Sequence, residues 1–392
     1  MRVWTTLSPV LRSARRSAPA RSGAALAELG SRLTTPSRTA NVAPVSSSPP
    51  GFDPNGPALG HGIYGLPHTP DEARVVLIPV PWEPTVSYRR GAAKGPAAIL
   101  RASRQIDLFD LHTGRPYEQG IAMLDVDPDI ARWNAEACAA AEPVLAAHGE
   151  VAGDRDLEAR LAAVNALSRR LNERVGEIAR RWLERGKLVG LVGGDHSAPY
   201  GTIAAHAERY PGMGILHVDA HADLRDAYEG FTDSHASILY NVATRHPKIA
   251  RIVQVGLRDM SEDEARFIRA SNGRIVAHTD PAIADRLFDG EPFHLITDAI
   301  IEDLPRDVYV TFDIDGLDPM LCPSTGTPVP GGLTFQQAVA LIGRIHKSGR
   351  RIVGFDLNEV APRDDGDDWD GNVGARLLYK LIGFALLSQD PR

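Results

Sequence analysis

Two imidazoles and four carboxylates stand where three apolar segments of the sequence end. The segments are rich in β-branched residues, which predicts that strands deliver these side chains. The three clusters read Gly-Gly-Asp-His-Ser at 193–197, Asp-Ala-His-Ala-Asp at 219–223 and Asp-Ile-Asp-Gly-Leu-Asp-Pro at 313–319. Because binding sites of parallel sheets lie at the carboxyl ends of strands, the clusters can converge. The candidate metal ligands are His196, Asp219, His221, Asp223, Asp313 and Asp315.

The spacing within two clusters supports this expectation. Alternate residues of an extended chain project from one face, so Asp219, His221 and Asp223 are expected to point the same way. The same holds for Asp313 and Asp315. Four carboxylates so close cannot all stay ionised unless cations balance them, and two divalent ions would do so. Mixed imidazole and carboxylate ligands suit manganese, nickel, cobalt, iron or zinc, so ligand type narrows the metal without choosing it.

Each cluster also has a purely structural interpretation. Gly-Gly-Asp-His alone is compatible with a tight turn before a capped helix. Asp-x-His-x-Asp is harder to explain by packing, because three ionisable residues after an apolar strand have no packing use. Burying Asp313 and Asp315 unpaired behind the apolar run 308–312 would be costly. Together the three clusters favour a metal centre.

Short apolar runs alternate with longer helical patterns from about residue 51 onward. This alternation predicts an α/β fold with a mainly parallel sheet and helices on both faces. The predicted strands are Val75–Pro79, Leu188–Val192, Gly214–Asp219, Ile252–Gly256, Val308–Asp313 and Ile352–Leu357. The predicted helices are Pro96–Ala102, Asp156–Glu184, Pro199–Glu208, Glu262–Ala270, Phe335–His346 and Val373–Leu387. The stretch 112–153 is assigned to an insertion or long connection.

Composition limits the function classes. The chain has 392 residues, 43% hydrophobic and 24% charged, which is typical of a globular protein. A net charge of −7 argues against a nucleic-acid partner, and no apolar run approaches the roughly 20 residues of a membrane span. Cys138 and Cys322 are the only cysteines, which excludes a disulfide framework. We therefore expect a soluble, cytoplasmic protein without a membrane partner.

The first fifty residues differ from the rest. They hold seven arginines, nine serines, one acidic residue and no lysine. This composition is typical of an organellar transit peptide, in which case the protein would lie in a mitochondrial or other organellar matrix. The alternatives are a disordered tail or an over-long reading frame. We therefore predict a separate segment at 1–50 and one catalytic domain at 51–392.

The three clusters, in this order, resemble the signatures of the ureohydrolase family of arginases and agmatinases. Weaker likeness extends from about Val75 to Leu387 and includes Gly326-Thr327-Pro328 and Glu359. The resemblance implies a three-layer α/β/α domain around a parallel sheet of about eight strands, assembled as homotrimers or hexamers. It implies two divalent ions, Mn²⁺ first with Ni²⁺ as the alternative. One ion would be held by His196, Asp219, Asp223 and Asp313, and the other by Asp219, His221, Asp313 and Asp315.

The resemblance also implies a mechanism. Two close ions lower the pKa of a water molecule, and the resulting hydroxide attacks the guanidino carbon of the substrate. Glu359 would orient the guanidinium group, and His235 would bring a proton to the leaving amine. The structural alternative for His235 is an ordinary loop histidine. Asp195 is expected to orient His196 through its second ring nitrogen.

The substrate is less well defined by the resemblance. Arginases bind the α-amino and α-carboxylate groups of arginine with an Asn/Thr/Ser-rich loop after the second cluster. The corresponding loop of this chain is Leu-Arg-Asp-Ala-Tyr-Glu-Gly-Phe at 224–231. An agmatine-like guanidino compound is therefore expected, with release of urea and an amine. Free guanidine is the alternative, because the motifs at 52–55 and 81–83 resemble a branch with guanidine hydrolases, and a guanidino acid is another. A single-zinc amidohydrolase and a catalytically silent regulatory homologue are interpretations from other classes.

Overall fold

Eight parallel strands form the central sheet of the part of the chain that the structure describes. The structure is a computed structural model, and it describes residues 52–58, 60–363, 366 and 368–389. The strands are β1 Val75–Val80, β2 Ile121–Met123, β3 Leu188–Gly193, β4 Gly214–Val218, β5 Arg251–Leu257, β6 Ile275–Thr279, β7 Asp307–Asp313 and β8 Arg351–Asn358. Their order in the sheet is β2-β1-β3-β8-β7-β4-β5-β6. The segment predicted at 1–50 lies outside the described residues.

Helices cover both faces of the sheet. They are α1 Gly95–Ser103, α2 Pro128–Ala146, α3 Arg155–Glu184, α4 Tyr200–Arg209, α5 Ile238–Arg245, α6 Glu262–Ala270, α7 Asp280–Phe288, α8 Phe293–Glu302, α9 Phe335–Lys347 and α10 Trp369–Leu387. Side chains of β1 that point to one face pack with α2 and α3, and those on the other face pack with α1 and α10. The predicted three-layer α/β/α fold is therefore confirmed.

The inner strands are mainly apolar because both of their faces are covered. β1 and β3 are buried at every position, as expected for parallel strands between two helical layers. Five of the ten described helices begin at a residue whose side chain caps a free backbone N–H group, such as the capping box of Ser261 and Glu264 on α6. None of the helices described here is long and apolar enough to cross a membrane.

The assignment of residues 112–153 to an insertion or long connection is wrong. This stretch contains β2, which pairs with β1 at the edge of the sheet, and the 19-residue helix α2. Ile130 and Trp133 of α2 are buried against α3 and β1, so the stretch belongs to the main domain. A strand of three residues is too short to show a pattern. The alanine-rich α2, with Pro143 inside it, has a weak apolar stripe.

Candidate metal centre and active site

Four neighbouring strands carry the candidate residues to one edge of the sheet. β3, β8, β7 and β4 lie side by side in this order. His196 follows β3 after a turn, Asp219 comes directly after β4, and Asp313 is the last residue of β7. Glu359 comes directly after β8. The sheet thus brings together residues that are as many as 163 positions apart in the sequence.

One ring nitrogen of His196 faces three carboxylates. Its Nδ1 lies 2.9 Å from Asp219 Oδ2 and 3.2 Å from both Asp223 Oδ2 and Asp313 Oδ2. All four residues are buried. A single N–H group cannot make good hydrogen bonds to three oxygens, and no described residue directs a hydrogen at Asp223 Oδ2. A cation among these atoms would satisfy all of them.

The other ring nitrogen of His196 is fixed by two buried polar side chains. Nε2 lies 2.9 Å from Thr311 Oγ1, and the Thr311 hydroxyl donates its hydrogen to Asp356 Oδ1 at 2.7 Å. Because that hydroxyl has only one hydrogen, Nε2 of His196 must donate to it. When Nδ1 gives up its own hydrogen, its lone pair is directed at the carboxylates. A metal-binding imidazole is normally oriented in this way.

Asp195 does not orient His196, so that expectation is wrong. Its Oδ1 accepts hydrogen bonds from the Ser197 backbone N–H at 3.1 Å and from the Ser197 hydroxyl at 2.5 Å. Its Oδ2 accepts from the Thr85 hydroxyl at 3.2 Å. The turn after β3 therefore directs neighbouring side chains to different partners.

A second histidine faces the other oxygen of Asp219. His221 Nδ1 lies 3.4 Å from Asp219 Oδ1 and 3.1 Å from Asp315 Oδ2. The His221 backbone N–H also donates to Asp219 Oδ1, at 2.6 Å. Asp219 therefore directs one oxygen at each of the two histidines. Asp313 joins the groups as well, because its Oδ1 accepts from the Asp315 backbone N–H at 2.8 Å.

The backbone of these clusters departs from the extended segments that the spacing predicts. β4 already ends at Val218, and Asp223 has a φ of 55°, in the left-handed region that non-glycine residues seldom adopt. Asp315 lies in the 3₁₀ helix Ile314–Gly316, which Asp313 caps. Turns after the strands, rather than one face of a strand, bring the side chains together. Strained backbone of this kind is concentrated at functional sites.

A row of polar residues crosses four strands beneath the clusters. These residues are register partners on adjacent strands, and all are fully buried. The row consists of Gln254 on β5, His217 on β4, Thr311 on β7 and Asp356 on β8. The sequence analysis missed these residues. Their signal is a single polar residue inside each of four otherwise apolar strands.

His217 of this row orients a carboxylate and is unsuited to be a ligand. It is close enough to His196, Asp219 and Asp223 to be considered one. However, Gln254 Nε2 donates to its Nδ1 at 3.0 Å, so Nε2 carries the hydrogen. His217 Nε2 then donates to Asp219 Oδ2 at 2.8 Å. Both ring nitrogens are therefore already used.

Glu359 lies against the backbone of His196. Its Oε1 accepts from the His196 N–H at 2.9 Å, and its φ is 62°. Within the described chain its buried Oε2 receives no hydrogen bond. A Cβ atom at Gly326 would come within 3.3 Å of this oxygen, so glycine leaves space there. Glu359 thus has one oxygen free, although it does not line the neighbouring cavity.

A cavity of about 190 Å³ opens beside the clusters. Three of the predicted site residues line it, namely His221, Asp223 and His235. The other lining residues are Ser87, Arg225, Tyr228, Ala236, Asp259, Met260, Glu264 and Thr327. The cavity is polar and small, as expected for a site that takes a small polar substrate.

His235 is held on this cavity by a threonine. Its backbone N–H donates to Thr85 Oγ1 at 3.2 Å, and its Nδ1 lies 3.2 Å from the same oxygen. The ring of Tyr228 packs edge-on at 6.0 Å. Burial and then the charges of His221 and His196 lower the pKa of His235 to about 4. His235 is therefore neutral at pH 7 and releases a proton readily once protonated.

The charges of the cluster are unbalanced without a cation. Burial alone would lower the pKa of His196, but the carboxylates of Asp219, Asp223 and Asp313 hold this pKa well above its usual value. Burial, followed by the charge of Asp219, raises the pKa of Asp223 to about 6. Burial and neighbouring carboxylates likewise raise the pKa of Asp313. Divalent ions would replace the protons that these groups otherwise retain, so the donor set fits such ions.

Together, the fold and the site define a class of protein. A three-layer α/β/α domain with two joined His/Asp clusters at its strand ends has the ligands and the adjoining cavity of a metal-dependent hydrolase. Comparison with known protein families, sequences and structures narrows this class of hydrolases further.

The family model described as "Arginase family" matches residues 73–383. The N(1)-aminopropylagmatine ureohydrolase of Thermus thermophilus is 36% identical over 326 residues, which cover 82% of this chain and 94% of that protein. The agmatinase of Bacillus anthracis is 28% identical over 313 residues, covering 80% and 92%. The solved agmatine ureohydrolase of Thermoplasma volcanium shares the fold with a TM-score of 0.63 at 22% identity, covering 83% and 94%.

The chain belongs to the arginase family. It is accordingly a hydrolase that acts on carbon–nitrogen bonds of amidines, in the agmatinase-like branch. The predicted family and reaction class are confirmed. The family depends on two metal ions, and the His/Asp cluster of this chain suits that requirement.

Proposed function

We propose that this chain hydrolyses an agmatine-like guanidino compound with a cationic tail and releases urea and an amine. The observation that carries the proposal is the pair of joined clusters around Asp219, next to a small polar cavity. The names of the relatives, an aminopropylagmatine ureohydrolase and an agmatinase, support the same substrate class.

We assign two divalent ions to the clusters, Mn²⁺ first with Ni²⁺ as the alternative. When bound, the ions supply the nucleophile by lowering the pKa of a water molecule. Their proposed ligands follow the contacts around the two histidines, with Asp219 and Asp313 shared. The first set is His196, Asp219, Asp223 and Asp313, and the second is Asp219, His221, Asp313 and Asp315.

Two residues outside the ligand sets act on the substrate in this proposal. Glu359 offers its free Oε2 to a guanidinium group, which prefers a carboxylate partner. His235, which is neutral at pH 7, takes up a proton during the reaction and transfers it to the amine that leaves. Burial lowers the pKa of His235 to about 4, so the protonated ring gives up its proton readily in this step.

The charges on the cavity wall favour a cationic tail. Arg225 is the one arginine of the wall, and its guanidinium lies 3.8 Å from the carboxylate of Glu264 and over the ring of Tyr228. Asp259 is exposed at the wall, and its carboxylate has no hydrogen-bond or ion-pair partner in the described chain. An amine would find an unpaired carboxylate there. A substrate carboxylate would find an arginine that is already paired.

The motifs that resemble guanidine hydrolases have structural roles here. Phe52 and Asn55 line a different cavity of about 610 Å³, which shares no residue with the cavity beside the clusters. Trp82 is fully buried, and Glu83 accepts hydrogen bonds from the backbone N–H groups of Gly91 and Ala93. Free guanidine and a guanidino acid stay alternatives for the substrate test.

Urea release tests the proposed function. The protein is reconstituted separately with Mn²⁺ and Ni²⁺ and offered agmatine, aminopropylagmatine, guanidinobutyrate, arginine and guanidine. We expect turnover of the amine-tailed compounds, faster with the preferred ion. Preference for guanidine would support the alternative substrate. If two bound ions give no urea from any compound, the proposed function is wrong.

A homo-oligomer and the cellular location stay predictions. Light scattering behind size-exclusion chromatography tests for a trimer or hexamer. Fusion of residues 1–50 to a fluorescent protein tests whether that segment directs import into an organelle.

A further inference from the structure

Thr85 links a buried carboxylate to the histidine on the cavity wall. Its Oγ1 lies 3.2 Å from Asp195 Oδ2, 3.2 Å from His235 Nδ1 and 3.2 Å from the His235 backbone nitrogen. Thr85 and Asp195 are both fully buried. The three groups come from the loop after β1, the turn after β3 and the 3₁₀ helix His235–Ser237.

The hydrogens of these groups can be counted. Asp195 Oδ1 already accepts two hydrogens from Ser197, so Oδ2 is the oxygen left for the Thr85 hydroxyl. A carboxylate is a stronger acceptor than a neutral imidazole, so the single hydroxyl hydrogen of Thr85 goes to Asp195. The Thr85 oxygen then accepts from the His235 backbone N–H and from the His235 ring. That ring must carry its hydrogen on Nδ1.

We propose that Thr85 is a positioning residue that fixes the Nδ1–H tautomer of His235 and leaves Nε2 free to carry the transferred proton. Nε2 of His235 has no hydrogen-bond partner among the described residues, and the ring borders the cavity. The assignment rests on the proposed function. It requires no change of charge on Asp195.

The proton balance of the step is complete. The attacking water gives a proton to His235 Nε2 as its oxygen bonds to the guanidino carbon. The carbon–nitrogen bond to the amine then breaks, and its electron pair stays on the departing nitrogen. That nitrogen takes the proton from Nε2, which returns His235 to its starting tautomer. The second proton of the water stays on the new C–O–H group and passes to the released amine as the carbon–oxygen double bond of urea forms, so guanidinium and water become an alkylammonium ion and neutral urea. Thr85 keeps its hydrogen throughout and acts only by holding the ring.

Three single variants test the assignment in the full chain loaded with Mn²⁺. Thr85→Val keeps the shape and removes the hydroxyl, whereas Thr85→Ser keeps the hydroxyl. Thr202→Val is the matched control, because Thr202 is equally buried but its Oγ1 has no hydrogen-bond partner within the described chain. Metal content and Tm are measured for each variant. If Thr85→Val does not fold, Thr85→Ala is compared with Thr85→Ser instead.

We expect Thr85→Val to lower kcat about tenfold to hundredfold, a part of what general acid–base catalysis contributes. KM should stay within about twofold and metal content should not change. Thr85→Ser should keep kcat within about threefold of the wild type, because its hydroxyl restores the hydrogen bonds to His235 and Asp195. Thr202→Val should match the wild type. A Thr85→Val enzyme with wild-type kcat overturns the assignment.

A double-mutant cycle separates positioning from a general structural effect. In a His235→Asn background, adding Thr85→Val should change kcat by less than about twofold, because residues that act as one unit are not additive. If Thr85→Val lowers kcat by the same factor in both backgrounds, Thr85 does not act through His235. A wild type that releases no urea instead refutes the proposed function, which is seen before any variant is made.

Discussion

The ligand cluster and the cavity wall differ in how firmly the protein holds them. Around the cluster, His196 is buried and hydrogen-bonded at its backbone and both ring nitrogens. On the wall, the exposed carboxylate of Asp259 has no partner in the described chain, and the side chain of Arg225 is 41% exposed and lies as far as 3.8 Å from its carboxylate partner. The difference indicates that the buried, hydrogen-bonded ligand cluster determines which reaction the protein catalyses. The choice of substrate tail depends on residues that can change at little cost to the fold.

The first prediction removes a residue from the tightly held region. His221→Ala takes away the nitrogen between Asp219 and Asp315, so one ion should be lost. Urea release should fall more than about 1000-fold, because metal activation contributes several kcal/mol. Elemental analysis should give one ion per chain. The control is His278→Ala, a histidine on β6 that contacts Asp303 instead. Two retained ions would refute the ligand assignment.

The second prediction concerns the boundary between the two regions, where His235 lies. His235→Asn should leave two ions per chain and lower kcat about hundredfold, because it removes the proton donor and spares the ligands. KM for agmatine should change little. The measurement is kcat over pH together with metal content. Wild-type kcat at every pH would show that His235 is an ordinary loop histidine.

The third prediction concerns the ligand cluster and the dependence of protein stability on pH when the metal is removed. In the metal-free protein the raised pKa values of Asp223, about 6, and His221, about 12, mean that the folded chain holds protons that the unfolded chain releases. Folded-state stability should therefore fall as the pH rises from about 4 to 8. Bound ions replace these protons, so the gain in Tm on adding Mn²⁺ should grow from pH 5 to pH 8.

Thermal unfolding with and without a chelator at four pH values measures this effect. The low pKa of Asp219 acts in the opposite sense below pH 4, and the low pKa of His235, about 4, acts in the opposite sense up to about pH 6.5. The fall in stability should therefore be clearest between about pH 6.5 and pH 8. An equal gain in Tm at every pH would contradict the proposed exchange of protons for ions.

The fourth prediction, with the smallest effect, changes the loosely held wall. Asp259→Asn should raise KM for agmatine about threefold to fivefold, because an exposed charge pair contributes at most about 1 kcal/mol. kcat, metal content and Tm should stay close to the wild type. Asp263→Asn is the matched control, an exposed aspartate on α6 that pairs with Arg266. If both variants behave alike, Asp259 does not bind the tail.

Local patterns in the sequence predicted most of the strands and the candidate metal ligands. Apolar runs predicted six of the eight described strands, and the clusters at their ends gave the candidate ligands. β2 and β6 were missed because they lie at the two edges of the sheet. Edge strands are covered less completely, and β2 is only three residues long.

Contacts between distant residues could not be predicted in this way. Asp195 was expected to orient the adjacent His196, yet its partners are Ser197 and Thr85, and Thr85 is 110 positions away. The link between Thr85 and His235 spans 150 positions. Only the order of the strands in the sheet brings such pairs together, and a single sequence carries no local mark of that order.

Asp219 is a proposed ligand of both ions, so the binding of one ion affects the binding of the other. Its two oxygens face different histidines, so occupancy at one position alters the carboxylate that the other position uses. The two binding constants are then thermodynamically linked, and each ion changes the affinity of the other by the same factor. A titration of activity against metal would follow the ion that binds last. Because both proposed ions are needed for activity, the fraction of active chains would rise more steeply with the concentration of free metal than it would for a protein with one site.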